Sequence, residues 1–209
     1  NETKVHIKSI HSEEITRENA KDILAGVDGI LVAPGFGIRG VEGKINAVEY
    51  ARVNNIPFMG ICLGMQCAVI EFARNVLGYS DAHSREMNAD TKHPVIDIMA
   101  EQKNIVNMGG TMRLGAYPCK VSLDSNLYKA YGETMISERH RHRYEFNNDY
   151  LEEFKKHGMR VTGVNPDTNL VEVVEVEGHP WYVASQYHPE YKSTVAKPHP
   201  MFVGFVKAM

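Results

Sequence analysis

The sequence predicts an α/β fold: a mostly parallel central sheet flanked by helices on both faces, with antiparallel extensions. Three observations carry this. Strand-like and helix-like stretches alternate through the first third of the chain. Residues 29–33 (GILVA) have the unbroken apolar character of a central parallel strand buried on both faces. The last third holds closely spaced strand segments of the kind that form hairpins.

In order, residues 5–10 (VHIKSI) alternate like a strand, and Thr16 is placed to cap a helix over 17–24 that Gly26 ends. The 29–33 strand runs into Pro34-Gly35-Phe36-Gly37, continued by Gly40 and Gly43, before a helix over 44–54. Residues 57–61 form a buried strand that turns directly into another helix. On that helix Met65, Ala68, Val69, Phe72, Ala73 and Val76 recur at helical spacing and form a face for the sheet. The middle third is less regular, with a short strand at 95–99, a flexible loop edging into a strand at 107–115 and a helix at 125–131. Residues 139–146 (RHRHRYEF) read as extended, with Arg139, Arg141 and Arg143 on one face and His140, His142 and Tyr144 on the other. Strands at 160–164, 170–176 and 181–186 and a helix after Pro200 complete the chain.

With 209 residues and no linker, repeat or low-complexity run, the chain has room for one domain, 1–209, with a full core. A net charge of -3 provides no basic field for nucleic acid, and no apolar run suggests a membrane span. Three cysteines, an odd number without CxxC spacing, favour free thiols in a reducing, cytoplasmic setting. The chain starts at Asn1 without a methionine and reads as a piece of a longer polypeptide.

The chemistry centres on Gly60-Ile61-Cys62-Leu63-Gly64-Met65-Gln66. Small residues around a strand-to-helix corner allow the tight turn of a nucleophile elbow, and the helix N-terminus favours a thiolate. A lone cysteine in an apolar strand is more often inert core, so a base is needed. Gln186-Tyr187-His188-Pro189-Glu190 offers one. The residue before proline is pushed extended, so His188 and Glu190 fall on one side of the backbone as a base and its orienter. A surface His-Pro-Glu turn is the bland alternative. Leu63 N–H, next to the nucleophile, and Gly35 N–H in the glycine-rich turn are candidate oxyanion donors. Residues 34–43 lack the GKS/GKT ending and the GxGxxG opening of phosphate loops. His140 and His142 have HxH spacing, but the interleaved arginines repel a cation, so no metal is expected.

Together APGFGIRG, GICLGMQ, MGGTMRLG, ERHRHRYEFN and QYHPE resemble the class I, triad-type glutamine amidotransferase domains, in the CTP synthase branch, over nearly the whole chain. GxCxGxQ and HPE are common to triad amidotransferases, whereas MGGTMRLG and RHRHRYE are particular to that branch. The fold so implied is class I glutamine amidotransferase-like, flavodoxin-like in architecture. The resemblance implies Cys62 as nucleophile, His188 as base and Glu190 as its partner, with Gly35 and Leu63 at the oxyanion. Gly35, Leu63, Gly64, Met65, Gln66, Glu86 and Arg143 then match positions that hold glutamine. The reaction implied is glutamine hydrolysis through a cysteine thioester, with the ammonia used by an N-terminal synthetase domain to aminate UTP to CTP with ATP and Mg. No cofactor is implied for this domain itself. GTP is implied as an allosteric activator, with Arg113, Arg139 and Arg141 as candidate residues for it, and a homo-oligomer is implied for the full-length enzyme. Two features depart from the family: Pro34 stands where it usually has glycine, and the family's opening strand and helix have no counterpart before Asn1. Rival readings are the amidotransferase domain of a GMP synthetase or carbamoyl phosphate synthetase, a cysteine hydrolase of γ-glutamyl substrates, and a non-catalytic binding module.

Overall fold

The structure, a computed structural model, describes residues 1–98 and 112–209. The first half contains α1 (Ala20–Ile23), β1 (Ile30–Val32), α2 (Val41–Val53), β2 (Phe58–Ile61), α3 (Leu63–Asn75), β3 (His83–Ser84) and β4 (Pro94–Asp97). The second contains β5 (Arg113–Val121), α4 (Asn126–Tyr131), β6 (Met135–His142), β7 (Glu145–Phe146), α5 (Leu151–Lys156), β8 (Met159–Val164), β9 (Val171–Val176), β10 (Tyr182–Ser185) and α6 (Pro200–Ala208).

Seven strands form one sheet in the order β1-β2-β10-β9-β8-β5-β6. β1, β2 and β10 run parallel, and every pairing outward from β10 is antiparallel. The antiparallel extension is thus larger than expected and the sheet is mixed. β3, β4 and β7 make a small second sheet. Alternate residues of the central strands point to opposite cores: Phe58, Tyr182 and Ala184 lie with α2 and α3, while Met59, Ile61 and Val183 lie with α4 and α6.

Most expected elements are present. Ser125 accepts a hydrogen bond from Tyr128 N–H at the start of α4. Thr16 and Asn19 cap each other reciprocally, but the helix they begin is short. The strand expected at 5–10 is not formed, and Ile7 is 86% exposed. Alternation yields a strand only where a neighbour accepts its hydrogen bonds, and this segment pairs with no described strand. β1, expected to be central, has only β2 beside it among the described strands, and Leu31 is 43% exposed. The expected loop at 107–115 and strand end at Met99 lie partly outside the described residues; from Arg113 onward the chain is strand β5. Extended structure over 139–146 breaks after His142: β6 ends there, and Glu145–Phe146 leaves to pair with β4.

Close approach of α3 to the strands explains the elbow glycines. A Cβ on Gly64 would lie 2.2 Å from the Val32 carbonyl oxygen, and one on Gly60 would lie 2.8 Å from the Gly64 backbone. Only glycine at both positions lets the helix start this close beneath the strand ends.

Candidate active site

Cys62 sits at the corner between β2 and α3 with φ 53° and ψ -101°. A side chain other than glycine is strained in this region, of order 1–3 kcal/mol, and the surroundings must hold it there. They do so through the Cys62 N–H, which donates to the Ser185 carbonyl at 2.7 Å, and the Cys62 carbonyl, which accepts from Gln66 N–H at 3.1 Å. The corner is thereby tied to the end of β10, which leads into the His188 segment. Pairing of β2 with β10 is therefore what brings the cysteine and the histidine to the same sheet edge.

His188 has extended backbone, and its Nδ1 lies 2.6 Å from Glu190 Oε1. A carboxylate on Nδ1 fixes the tautomer with hydrogen there, so Nε2 presents a lone pair. That Nε2 is buried without a hydrogen-bond partner among the described residues. Tyr191 stacks on the imidazole at 4.7 Å between centroids, and the His188 N–H donates to the Arg139 carbonyl at 2.8 Å. The ring is thus held in plane and in position.

A cleft of about 470 Å³ opens over this edge. Of the expected site residues, Gly35, Cys62, Gln66, Glu86, Arg141, Arg143, His188 and Glu190 line it. Pro34 and Phe36 flank Gly35 on its wall, and a Cβ on Gly35 would lie 3.2 Å from Leu63 Cδ2, so the two expected oxyanion residues are neighbours. The Leu63 N–H, on the residue after the nucleophile, favours the anionic form of the Cys62 sulfur. Leu63, Gly64 and Met65 do not line the cleft with side chains; Met65 is fully buried in the core beside α3. Glu86 accepts a long 3.5 Å hydrogen bond from Gly37 N–H, which ties the glycine-rich turn to the cleft wall.

Burial pushes the Cys62 thiol up to about 12, reinforced by Glu190, Glu145 and Glu86 and offset in part by the Leu63 N–H. The helix N-terminus favours the thiolate through the Leu63 N–H, as expected, but burial outweighs it and the resting group is a thiol. A base must remove its proton when substrate is in place.

The expected grouping of Arg113 with Arg139 and Arg141 is not what the fold forms. Arg113 does not share a surface with them: across the β5–β6 ribbon it faces His142, whereas Arg141 faces Leu114 and Arg139 faces Ala116. Side chains alternate along a strand, so Arg113 lies on the buried face with His140 and His142. There it pairs with Glu172 at 2.7 Å and Glu145 at 3.2 Å and lies over the Tyr117 ring. His142 Nδ1 donates to the Tyr144 carbonyl, leaving its Nε2 to accept from His140 Nδ1 at 2.7 Å. Neutral His140 then presents Nε2 to Glu172 Oε2 at 3.5 Å, and both atoms are buried without another hydrogen-bond partner among the described residues. Burial raises the Glu172 carboxyl, and the Arg113 guanidinium opposes that rise. The HxH pair is thus bonded to itself.

One residue escaped the sequence reading. Gln186 places its side-chain Nε2 3.6 Å from Cys62 Sγ and its Oε1 3.3 Å from Gln66 Nε2. Its place just before Tyr187-His188-Pro189-Glu190 was the available signal.

Residues 1–208 match the family described as Glutamine amidotransferase class-I, and the chain belongs to that family. It is 62% identical to the CTP synthase of Flavobacterium johnsoniae and 63% identical to that of Cytophaga hutchinsonii, with the whole chain covered in each case. The chain spans 39% of the length of each of these relatives. Among solved structures it is similar to the glutaminase domain of Trypanosoma brucei CTPS with bound acivicin, at TM-score 0.93 and 41% identity, over 99% of this chain and 81% of that one. A protein named as a GMP synthase subunit, from Thermoplasma acidophilum, shares the fold at TM-score 0.59 and 17% identity over 92% of this chain and 77% of that one. The expected class I amidotransferase fold is therefore present, and the similarity favours the CTP synthase type over the rival amidotransferases.

Proposed function

We propose that the chain hydrolyses glutamine to glutamate and ammonia, and that the ammonia serves the amination of UTP to CTP by a synthetase domain of the same, longer protein. The carrying observation is the His188 imidazole, locked by Glu190 on Nδ1, with a bare Nε2 in the cleft that holds Cys62. His188 Nε2 takes the thiol proton as Cys62 Sγ attacks the side-chain amide carbon. The developing oxyanion faces the N–H groups of Gly35 and Leu63. The carbon–nitrogen bond then breaks, the departing nitrogen takes the proton from His188, and a γ-glutamyl thioester remains. Water gives a proton to His188, attacks the thioester and releases glutamate, and the thiol regains its proton.

Arg143 suits the substrate carboxylate and Glu86 its ammonium. Gln66 commits both Nε2 hydrogens, to the Tyr144 carbonyl and Gln186, so it offers substrate only its Oε1 as an acceptor. Gly64 and Met65 contribute through the main chain. Arg141 joins the substrate cleft, and with Arg139 it remains the candidate for GTP; Arg113 does not fit that role. ATP, UTP and Mg belong on this reading to the synthetase domain, and the full-length enzyme is a cytoplasmic homo-oligomer. The test is glutamate release by the full-length protein, with acivicin, bound by the trypanosomal relative, competing with glutamine. Release of glutamate that Cys62→Ser abolishes supports the reading. Turnover of γ-glutamyl peptides but not glutamine overturns it.

A further inference from the structure

We propose that Gln186 is a further catalytic residue, whose side-chain Nε2–H donates to the Cys62 sulfur and stabilises the anion that forms there. This deepens the glutaminase reading above and rests on it.

The orientation of the amide follows from a chain of hydrogen bonds that starts at a group with one possible role. The Tyr144 main-chain carbonyl only accepts, so Gln66, 3.2 Å away, must present its Nε2. The other Nε2 hydrogen of Gln66 reaches Gln186 at 3.3 Å, which must therefore present Oε1. The Gln186 NH₂ is left facing Cys62 Sγ at 3.6 Å. Rotating the Gln186 amide by half a turn would set two NH₂ groups against each other and put an oxygen on the sulfur. The Gln66–Gln186 bond would be lost where Gln186 is fully buried, and the oxygen would repel the sulfur anion when it forms. Its backbone is pinned as well, since Gln186 N–H donates to the Glu172 carbonyl at 2.8 Å.

The sulfur needs such a donor. Burial disfavours its anion, and Glu190 and Glu86, with Glu145 once it ionises, act on it with negative charge. Against them stand the Leu63 N–H, the His188 ring once protonated, and Arg141 and Arg143 on the cleft wall. His142, the other imidazole lining the cleft, is held neutral by burial. When the thiol proton passes to His188 Nε2, the charge left on sulfur lies on the Gln186 N–H. The same contact meets the sulfur again as it leaves the thioester.

A purely structural glutamine would affect stability and leave the thiol's titration unchanged, which gives the experiment. In the full-length protein, the rate of Cys62 alkylation by iodoacetamide at fixed pH between about 7 and 9 is followed by peptide mass spectrometry for wild type, Gln186→Met and Gln186→Glu. Well below the thiol's pKa this rate follows the thiolate fraction. Gln186→Met keeps the shape and removes the donor. Its alkylation rate should fall about 10-fold at every pH in that range. Its kcat/KM for glutamine should fall about 10–100-fold, with KM changed less than kcat. Gln186→Glu should slow alkylation further, and it provides the reading if Gln186→Met does not fold. Alkylation rates equal to wild type in the folded variants overturn the proposal, whatever their activity. Slowed alkylation in a protein whose wild type releases no glutamate upholds the Gln186–Cys62 contact and defeats the glutaminase reading instead.

Discussion

His188 Nδ1 and Glu190 Oε1 lie 2.6 Å apart on a stretch of chain with only Pro189 between them, so the base is oriented locally. The nucleophile it serves comes from a strand more than 100 residues earlier in the chain. Removal of the ring and loss of its orienter therefore have different costs. His188→Ala should lower kcat on the order of 10³-fold or more, because no other group lining the cleft among the described residues replaces Nε2 as base. Glu190→Gln, which misorients the ring, should cost about 10²-fold. Steady-state glutamate release distinguishes them, and equal small effects would place the base elsewhere.

Cys62→Ser should abolish glutaminase activity, while Cys67→Ser and Cys119→Ser should retain most of it. All three thiols are buried and raised by burial, but only Cys62 has strained backbone and lines the cleft. In the full-length protein, CTP formation from added ammonia should survive the Cys62 change. Loss of both activities would make Cys62 structural.

Gly64→Ala tests the origin of the elbow. Its new Cβ would meet the Val32 carbonyl oxygen at 2.2 Å, a backbone atom that cannot swing away. The expected result is a destabilisation of about 1–3 kcal/mol by urea unfolding, together with a loss of kcat as the corner shifts. Wild-type stability and turnover would show that the corner tolerates a methyl group.

The elbow and the His-Pro-Glu pair were legible because their geometry is local: glycine spacing, an apolar run and a proline report on a few adjacent residues. Their meeting was not, because it depends on β2 pairing with β10 across more than 100 residues. The same limit hid the Gln66–Gln186 contact and the Glu145–Arg113–Glu172 cluster. Strand alternation placed Arg139 and Arg141 correctly on one face, but Arg113 belonged to another strand whose register sequence does not reveal. Residues 5–10 form no strand, and the 29–33 strand, parallel as expected, lies beside β2 alone among the described strands for a related reason: apolar pattern reports a wish for neighbours and not their presence.

The buried histidines predict acid sensitivity. Burial and the Arg113 charge lower His140 to about 2 and His142 to about 3, from an ordinary value of 6.5. Below 6.5 the unfolded chain takes up protons that the folded chain refuses, so this stability is full above 6.5 and lost as pH falls toward 3. Glu145, raised by burial to about 8, acts with the opposite sign, since from its ordinary 4.5 up to 8 the folded state keeps a proton the unfolded state releases. Stability should therefore fall most steeply below about pH 4.5, by up to about 1.4 kcal/mol per pH unit for each histidine. Urea unfolding across pH measures it, and a His140→Asn, His142→Asn double variant should flatten the acid limb. An unchanged limb would assign it to other groups.

Arg113 supplies the guanidinium that both Glu145 and Glu172 contact in a region closed to water. Arg113→Ala would leave the buried Glu172 carboxylate without its cation and Glu145 without its hydrogen-bond donor, and truncating one partner of a buried ion pair typically costs about 3–5 kcal/mol. Arg139→Ala, on the exposed face of the same ribbon, should change stability by less than about 0.5 kcal/mol. The Glu172 carbonyl also anchors Gln186 N–H, so the loss should reach the catalytic cysteine as a lower kcat. Arg113→Lys should recover part of the stability, because it restores a charge without the two-armed geometry. Urea midpoints and glutamate release for the three variants provide the test. An Arg113→Ala protein as stable as wild type would mean that the two carboxyls are held neutral without it, and that the cluster does not depend on its arginine.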